Sequence, residues 1–407
     1  MGFPTVRGCI VIALLLELAV PGAANGWQTA RDTAYTGTRQ RALELFAHGK
    51  RLEALPLLEE LVQRDPKDSE LLVDLAASLL DHAITLTDPQ VAGEERLRAR
   101  DLLDRASKLG NTSPLAMNLS EFLEQLPPTG AIEFSKNPRV EETIHAGEAA
   151  FARHDFDLAL KNYSQALDLE PGNYSAALFT GNTYDRENKF APAAEWYERA
   201  IEIDPNLETA YRYYADMLAR EHDLEGARKM LIQAAVAEPY NRAVWRELHA
   251  WAMLSGSEIH TVYVSVPPPA GGPRDGAAGR IRNSPVSSAW EAYRTIRAEW
   301  QQGSEFRKRF PQEQTYRHSL PEEANALNGA AAKLAELRAN RDTAALVAQD
   351  GAAGELLKLY DAALVEPYVL FSLGDAGIAK DYSTYRQNNR RKLEDYMDQF
   401  VAPAHAR

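Results

Sequence analysis

The chain has 407 residues, of which 45% are hydrophobic and 25% are charged, and its formal net charge is −13. This length allows two or three domains, and the composition is typical of a globular protein. The acidic balance argues against general binding to nucleic acid, because the phosphate backbone requires a basic surface.

The N-terminal segment has the pattern of a secretory signal peptide. Arg7 precedes an apolar run over residues 8–20, and small residues follow at 21–24. The run is too short to span a bilayer comfortably. We expect a signal peptide over residues 1–24 and therefore an exported, periplasmic bacterial protein whose mature chain has no transmembrane span. An uncleaved anchor and a cytosolic chain are the alternatives. Cys9 is the only cysteine, so the mature chain would have no thiol for a disulfide, a nucleophile or a metal.

Three prolines lie 34 residues apart, at Pro171, Pro205 and Pro239. Residues at fixed offsets before them also repeat: Gly147, Gly181 and Ala215; Ala159, Ala193 and Ala227; Tyr163, Tyr197 and Leu231; Ala166, Ala200 and Ala234. Small residues allow two helices to approach closely, and a proline ends the second helix because it has no N–H. The pattern resembles the tetratricopeptide repeat, whose period is 34 residues. The resemblance implies an all-α fold: a right-handed superhelical solenoid of antiparallel helix hairpins.

The repeat pattern divides the rest of the chain into four regions. Weaker, degenerate hairpins are predicted over residues 38–126, with about 11 surplus residues in a loop at 85–93. Three repeats and a capping helix are predicted over 140–255. Residues 256–287 combine a strand-like segment with a Pro- and Gly-rich linker, and a C-terminal helical extension is predicted over 288–402.

The strand-like segment covers residues 258–266, where polar residues alternate with valines, as at Val262 and Val264. This period of two is typical of a β-strand. The segment could add a strand to another chain, but we favour an extended crossover packed on the solenoid.

Two further patterns concern the C-terminal helices. Ser319, followed three residues later by Glu322, has the spacing of a capping box, in which the serine side chain caps the helix. Residues 386–392 are basic, and we interpret them as a solvated helix face.

No sequence motif for catalysis, phosphate binding or metal binding is present, so we expect no enzyme activity, no cofactor and no metal site. His318, close to Glu322 and Glu323, is the best candidate for a general base. Packing or hydrogen bonding beside a helix start is the favoured interpretation of this histidine. Glu141, Glu148 and Asp185 could be considered as an acidic cluster, but we expect them to line a groove.

The resemblance implies that one face of each first helix forms a concave surface for a protein or peptide partner. The positions that it assigns to this surface include Glu141, Ile144, Glu148, Phe151, Leu178, Asn182, Asp185, Arg212, Asp216 and Arg246. Asn182 occupies the place of an asparagine that chaperone-binding members use to hold a terminal carboxylate. Ile144 and Leu178 replace the basic residues of that clamp, so we expect instead an acidic part of the partner near Arg212 and a basic or apolar part near Glu148.

The function that these observations favour is that of an exported protein–protein interaction scaffold or adaptor. Two alternatives stay open. One is a helical enzyme with a site around His318, which would show a polar pocket where histidine and glutamate side chains converge. The other is a structural subunit of a cell-envelope complex, joined through residues 258–266.

Overall fold

A computed structural model describes residues 35–86, 88–126, 129, 132–266 and 285–404. In these ranges the chain forms helices and no β-strand, which confirms the predicted all-α fold. No helix in them is both long and apolar enough to cross a membrane. The predicted signal peptide and residues 267–284 of the linker lie outside the described ranges. The contacts define two units: the chain up to Lys136 with His145–Asp155, and Asn137–Ile144 with Phe156 onward.

The first unit contains two helix hairpins and a further helix. Its helices are α1 over residues 35–47, α2 (Arg51–Arg64), α3 (Ser69–Thr85), α4 (Pro89–Lys108) and α5 (Pro114–Gln125). Their core is formed by buried leucines and alanines such as Leu58, Leu72 and Leu103. The predicted loop at 85–93 is wrong, because the surplus residues lengthen the helices: α3 has 17 residues and α4 has 20. Asp88 caps α4 through the amides of Gln90 and Val91, so this helix begins early.

The central repeats form the helices that their spacing predicts. They are α6 (Pro138–Ala152), α7 (Phe156–Leu169), α8 (Tyr174–Arg186), α9 (Phe190–Ile203), α10 (Glu208–Arg220), α11 (Leu224–Ala237) and the capping helix α12 (Arg242–Ser255). Helices α7, α9 and α11 each end two residues before a repeat proline. The turns between paired helices also repeat, because His154, Asn188 and His222 all have φ near +60°. The sequence analysis did not predict this left-handed position, although Asn and His are both enriched there among residues other than glycine.

The C-terminal region is built from helices of unequal length, from 6 to 20 residues. They are α13 (Ser287–Gln301), α14 (Ser304–Arg309), α15 (Leu320–Ala339), α16 (Ala344–Gln349), α17 (Gly351–Asp361), α18 (Val365–Ser372) and α19 (Tyr382–Tyr396). A 3₁₀ turn, Ile378–Asp381, precedes α19, and a π-helical turn, Met397–Val401, follows it.

Residues 258–266 form neither a helix nor a strand. Val262 and Val264 are buried in the core that α11, α12 and the C-terminal helices share, whereas Tyr263 is exposed. The Val264 amide donates a hydrogen bond to the Tyr368 hydroxyl (3.0 Å), and the His260 amide donates to the Val401 carbonyl (2.8 Å). The period of two therefore reflects one face buried against the molecule's own helices.

The last repeat and the C-terminal region are joined by side chains of α19. The Tyr382 hydroxyl donates to the Val236 carbonyl (2.8 Å), and Arg390 donates to the Pro205 carbonyl (2.7 Å). Arg386 donates to the carbonyl of Ala237, the last residue of α11. Cations stabilise a helix C-terminus, where carbonyl groups lack partners. The interpretation of residues 386–392 as a solvated basic face is therefore wrong for Arg386 and Arg390.

The start of α15 is also capped differently from the prediction. The Ser319 side chain makes no capping bond, and its hydroxyl is buried without a hydrogen-bond partner in the described part of the chain. The Asp381 carboxylate accepts a hydrogen bond from the Leu320 amide instead (2.9 Å). Glu322 is fully buried and pairs with Arg297, so it is not available to complete a capping box.

Candidate functional site

A cleft of about 420 Å³ lies where α8, α9 and α10 of the second and third repeats meet. It is lined by Asn182, Asp185, Arg186, Asn188, Tyr197, Tyr213, Asp216 and Arg220. Three of these residues, Asn182, Asp185 and Asp216, belong to the predicted partner-binding surface. The structure therefore brings together the predicted positions of two successive repeats in one concave site.

An arginine shared by two carboxylates forms one side of the cleft. Arg220 donates from Nη2 to Asp185 at 2.6 Å and from Nε to Asp216 at 3.3 Å. Asp185 is almost completely buried, whereas the Asp216 side chain is 69% exposed. The hydrogen bond to Asp185 raises the pKa of Arg220, which is therefore a fixed cation. Asp216 is the carboxylate of this group that solvent, or a partner, can reach.

Tyr197 forms the inner wall of the cleft. Its ring is buried and lies directly against Gly181, where an added Cβ would stand only 2.8 Å from the ring carbon Cδ1. Its hydroxyl is buried and has no hydrogen-bond partner within the described ranges. Burial, reinforced by the charge of Asp185, raises the pKa of Tyr197, so the hydroxyl stays protonated.

The charges of the cleft balance one another. Asp185 and Asp216 carry two negative charges, and Arg186 and Arg220 carry two positive charges. The remaining lining groups are carboxamides and aromatic rings, which provide hydrogen bonds and flat apolar surface. This composition suits a polar, extended segment of a protein better than a strongly charged ligand.

Arg212 does not contribute a free positive charge to this face. Its Nε donates to Glu208 at 2.5 Å, and its Nη1 donates to Glu247 at 2.6 Å. Glu208 is buried, and Arg212 is itself only 18% exposed. The two carboxylates neutralise Arg212. The predicted contact between this arginine and an acidic part of the partner is therefore not supported.

The other predicted positions have different surroundings. Ile144 and Leu178 are buried and act as packing residues. Glu141, Glu148 and Phe151 are partly buried, and Arg246 is exposed. Within α6, Glu141 and Ile144 belong to one structural unit, whereas Glu148 and Phe151 belong to the other.

Sequence reasoning missed five residues of the cleft: Arg186, Asn188, Tyr197, Tyr213 and Arg220. Tyr197 was recognised only as a packing position of the repeat. A signal for Arg220 does exist, because Arg186 stands 34 residues earlier at the same position of its own repeat. Both arginines are the last residue of the first helix of their repeat, and both line the cleft.

His318 lies in a network of ion pairs in the C-terminal region. Its Nδ1 is 2.8 Å from Asp375, and its Nε2 is 2.9 Å from Glu323. Arg297 contacts Nε2 at 2.6 Å and also pairs with Glu323 and, at 3.0 Å, with Glu322. Histidine and glutamate side chains thus converge as the enzyme alternative requires, but both His318 and Glu323 are already paired with the Arg297 guanidinium.

Asp375 is held in its charged form in the same network. Burial opposes ionisation, but the Ile378 amide, His318 and the Gly377 amide donate hydrogen bonds that lower the pKa of Asp375 overall. In this network the charged side chains pair with one another. The pairs connect α13, the start of α15 and the segment before α19. Among the residues that the structure describes, no three His, Cys, Asp or Glu side chains are arranged to hold a metal ion.

Comparison with known proteins supports the repeat assignment over part of the chain. Residues 145–208 match the tetratricopeptide repeat family. The chain is also similar to Stress-induced-phosphoprotein 1 of Caenorhabditis elegans, with 30% identity over 74 residues. That similarity covers 18% of this chain and 23% of the relative, so the chain spans less than a quarter of the relative's length. Residues 145–208 are therefore tetratricopeptide-repeat sequence.

Solved structures with some similarity to the chain include other repeat proteins. A thermophilic tetratricopeptide-repeat protein of Thermus thermophilus is 15% identical and covers 54% of this chain and 99% of its own, with a TM-score of 0.29. YrrB, described as having an unusual peptide-binding site, is 16% identical and covers 51% of this chain and 87% of its own, with a TM-score of 0.26.

Proposed function

We propose that this chain is a scaffold or adaptor that binds an extended segment of a protein partner in the cleft between α8 and α10. The observation that carries the proposal is the cleft itself, which joins predicted surface residues from two successive repeats. Tetratricopeptide-repeat sequence over residues 145–208 supports a role in protein–protein interaction. The role is one of binding and not of catalysis.

The mode of binding follows from the groups that line the cleft. Asn182 and Asp216 offer hydrogen bonds to the main chain or to polar side chains of the partner, and Tyr213 offers an aromatic surface. Because the charges are balanced, binding depends mainly on hydrogen bonds and fit. We therefore expect the affinity for the partner to change little with salt concentration. Binding that depends on attraction between opposite charges would weaken as salt screens those charges.

The place of action proposed for this protein is the bacterial periplasm, and the apolar N-terminal run after Arg7 supports export. Membership of a cell-envelope complex is compatible with this location. Strand addition through residues 258–266 is disfavoured, since Val262 and Val264 are buried in the chain's own core.

The test is affinity capture of envelope proteins by the purified mature chain and by two double variants. Asn182→Ala/Asp216→Ala removes one carboxamide and one exposed carboxylate from the cleft. Gln165→Ala/Glu195→Ala removes the same two groups from exposed positions on α7 and α9. The control therefore matches the change in charge and hydrogen-bonding capacity.

We expect partners that the wild type and the control retain and the cleft variant loses. Retention of the same partners by the cleft variant would contradict binding at this site. Thermal unfolding of all three proteins checks that the loss does not result from misfolding.

A further inference from the structure

A second cavity lies in the C-terminal region, away from the residues of the repeat cleft. It has a volume of about 250 Å³ and is enclosed by the end of α14, the start of α15 and one face of α19. Its apolar wall is formed by Phe310, Leu320 and Pro321. A cavity of this size has room for a small molecule that carries one apolar group.

The polar wall of this cavity is formed by α19. Thr384, Asn388 and Asn389 line it within two turns of the helix. The Nδ2 of Asn388 donates to the Thr384 carbonyl (3.1 Å), and the Nδ2 of Asn389 donates to the Tyr385 carbonyl (3.2 Å). Both carboxamides use a donor on the helix backbone, so their Oδ1 atoms remain as acceptors.

The helix is distorted at this wall. Asn389 has a non-helical conformation, with φ −138° and ψ 26°, in the middle of α19. Distortions inside helices have identifiable causes and often occur at functional sites. The Tyr385 side chain also lines the cavity, and its hydroxyl is buried without a partner among the described residues. Buried polar groups are usually hydrogen-bonded, so Tyr385 brings an unsatisfied hydroxyl to a residue position that lines the cavity.

The cavity is lined by one acidic and one basic side chain, and only the basic one is free to pair with a ligand. Asp381 lines it, but its carboxylate is already bound by Arg317 (2.6 and 2.9 Å) and by the Leu320 amide. Arg309, at the end of α14, is exposed and forms no ion pair within the described part of the chain. The cavity therefore combines one available guanidinium, two carboxamide acceptors and an apolar wall.

We propose that this cavity binds a free α-amino acid with an apolar side chain. The carboxylate of the ligand pairs with Arg309, because guanidinium and carboxylate match in charge and geometry. Its ammonium group donates hydrogen bonds to the carboxamide oxygens of Asn388 and Asn389. Its side chain packs on Phe310, Leu320 and Pro321. The guanidinium, the two carboxamides and the apolar wall of the cavity then each have a complementary group on one small zwitterion.

The test is calorimetric titration of the full mature chain with three compounds of nearly equal size. L-leucine carries both charges, L-leucinamide lacks the carboxylate, and 4-methylpentanoate lacks the ammonium group. We expect saturable binding of leucine at one site and binding of each analogue about tenfold weaker or more, since each loses a charge-assisted hydrogen bond. No saturable binding of leucine, or equal binding of the three compounds, would overturn the proposal.

Two variants connect the binding to the cavity. Arg309→Gln should weaken leucine binding about tenfold or more and remove the preference for leucine over leucinamide. Arg307→Gln changes an exposed arginine of the same helix that does not line the cavity, and it should bind leucine like the wild type. If Arg309→Gln still prefers leucine to leucinamide, the ligand carboxylate lies elsewhere and the assignment is wrong.

Discussion

Two arginines of the central repeats are each shared by two carboxylates. Arg212 is held by Glu208 and Glu247, and Arg220 is held by Asp185 and Asp216. From the sequence, Arg212 has the position of a groove cation that could attract an acidic partner. In the structure it neutralises a buried glutamate, so its role is in stability. Asp216, in contrast, remains accessible and belongs to the binding cleft.

Replacing Arg212 tests this assignment. Arg212→Gln leaves the buried Glu208 carboxylate without its cation, and we expect a loss of about 2 kcal/mol in the free energy of unfolding. Arg246→Gln, at the equivalent and exposed position of α12, should stay within about 0.5 kcal/mol of the wild type. Urea denaturation at neutral pH measures both changes. Equal stability of the two variants would show that Arg212 is not a structural residue.

Asp74 in α3 predicts a dependence of stability on pH. Burial, with a contribution from the charge of Glu70, raises the pKa of Asp74 to about 6, whereas the unfolded chain should titrate near an ordinary value of ~3.9. Between these values the folded state binds the proton more tightly, so stability decreases as the pH rises from about 4 to about 6 and stays lower above that range.

Asp74→Asn removes this penalty. Because the side chain is only partly buried, we expect a gain of about 1 kcal/mol at pH 7.5 that disappears on acidification to pH ~4. Thermal unfolding of wild type and variant at both pH values measures the difference. A gain that is equal at the two pH values would mean that ionisation of Asp74 is not its cause.

At the scale of helices, the close approach of α8 and α9 depends on Gly181. An added Cβ would lie 2.8 Å from the Tyr197 ring and 3.3 Å from the Ala193 carbonyl. Since Tyr197 is buried and cannot move freely, we expect Gly181→Ala to cost about 1–3 kcal/mol. Gly172→Ala is the matched control, because a Cβ there meets nothing within 4 Å. Comparable melting temperatures for the two variants would contradict this account of the helix contact.

The segment after α12, residues 258–266, provides a test with two neighbouring residues. Val264 is 4% exposed and packs in the core, whereas Tyr263 is 68% exposed. Val264→Asp buries a charge without a partner and should cost about 3 kcal/mol or more. Tyr263→Asp should change the stability by about 0.5 kcal/mol or less. If neither variant alters unfolding, the segment is not part of the core, and strand pairing with another chain becomes the better interpretation.

The helices of the repeats could be predicted because their packing is periodic. Residues of the same kind as Gly181, Ala193 and Tyr197 return every 34 residues. This spacing in the sequence indicates where two helices approach one another. Residues 258–266 gave an ambiguous signal, because burial of Val262 and Val264 on one side produces the same alternation as a strand. The roles of Arg386 and Asp381 could not be predicted, since each caps a helix end that is distant in the sequence.

Part of the cleft could also be predicted, because its residues occupy equivalent positions in successive repeats. Asn182, Asp185 and Asp216 follow from the repeat positions, whereas one of the two carboxylates that pair with Arg212, Glu247, lies in the capping helix α12. Contacts between neighbouring hairpins and the capping helix help to decide which charges remain available, and the pattern within one repeat does not show these contacts.

At the scale of the second unit, the last repeat and the C-terminal region share one hydrophobic core. Trp245 of α12 contacts Phe371 of α18, with ring centroids 6.3 Å apart, and Tyr240 contacts Tyr382 of α19 at 5.9 Å. The end of the repeat array is thus covered by helices of the same chain. Open solenoid ends expose apolar surface unless they are capped. The C-terminal region supplies this cap and also contains the separate cavity between α14, α15 and α19.

The central claim is that a partner segment lies in the cleft between α8 and α10. The most direct measurement is site-specific photocrosslinking in the cells that produce the protein, with the crosslinking residue placed at position 182 in one variant and at position 195 in a second variant. The account predicts that position 182 crosslinks to one continuous segment of a partner, that a synthetic peptide of that segment competes, and that position 195 does not form the product. Equal crosslinking from both positions, or products from position 182 that the peptide does not reduce, would contradict it.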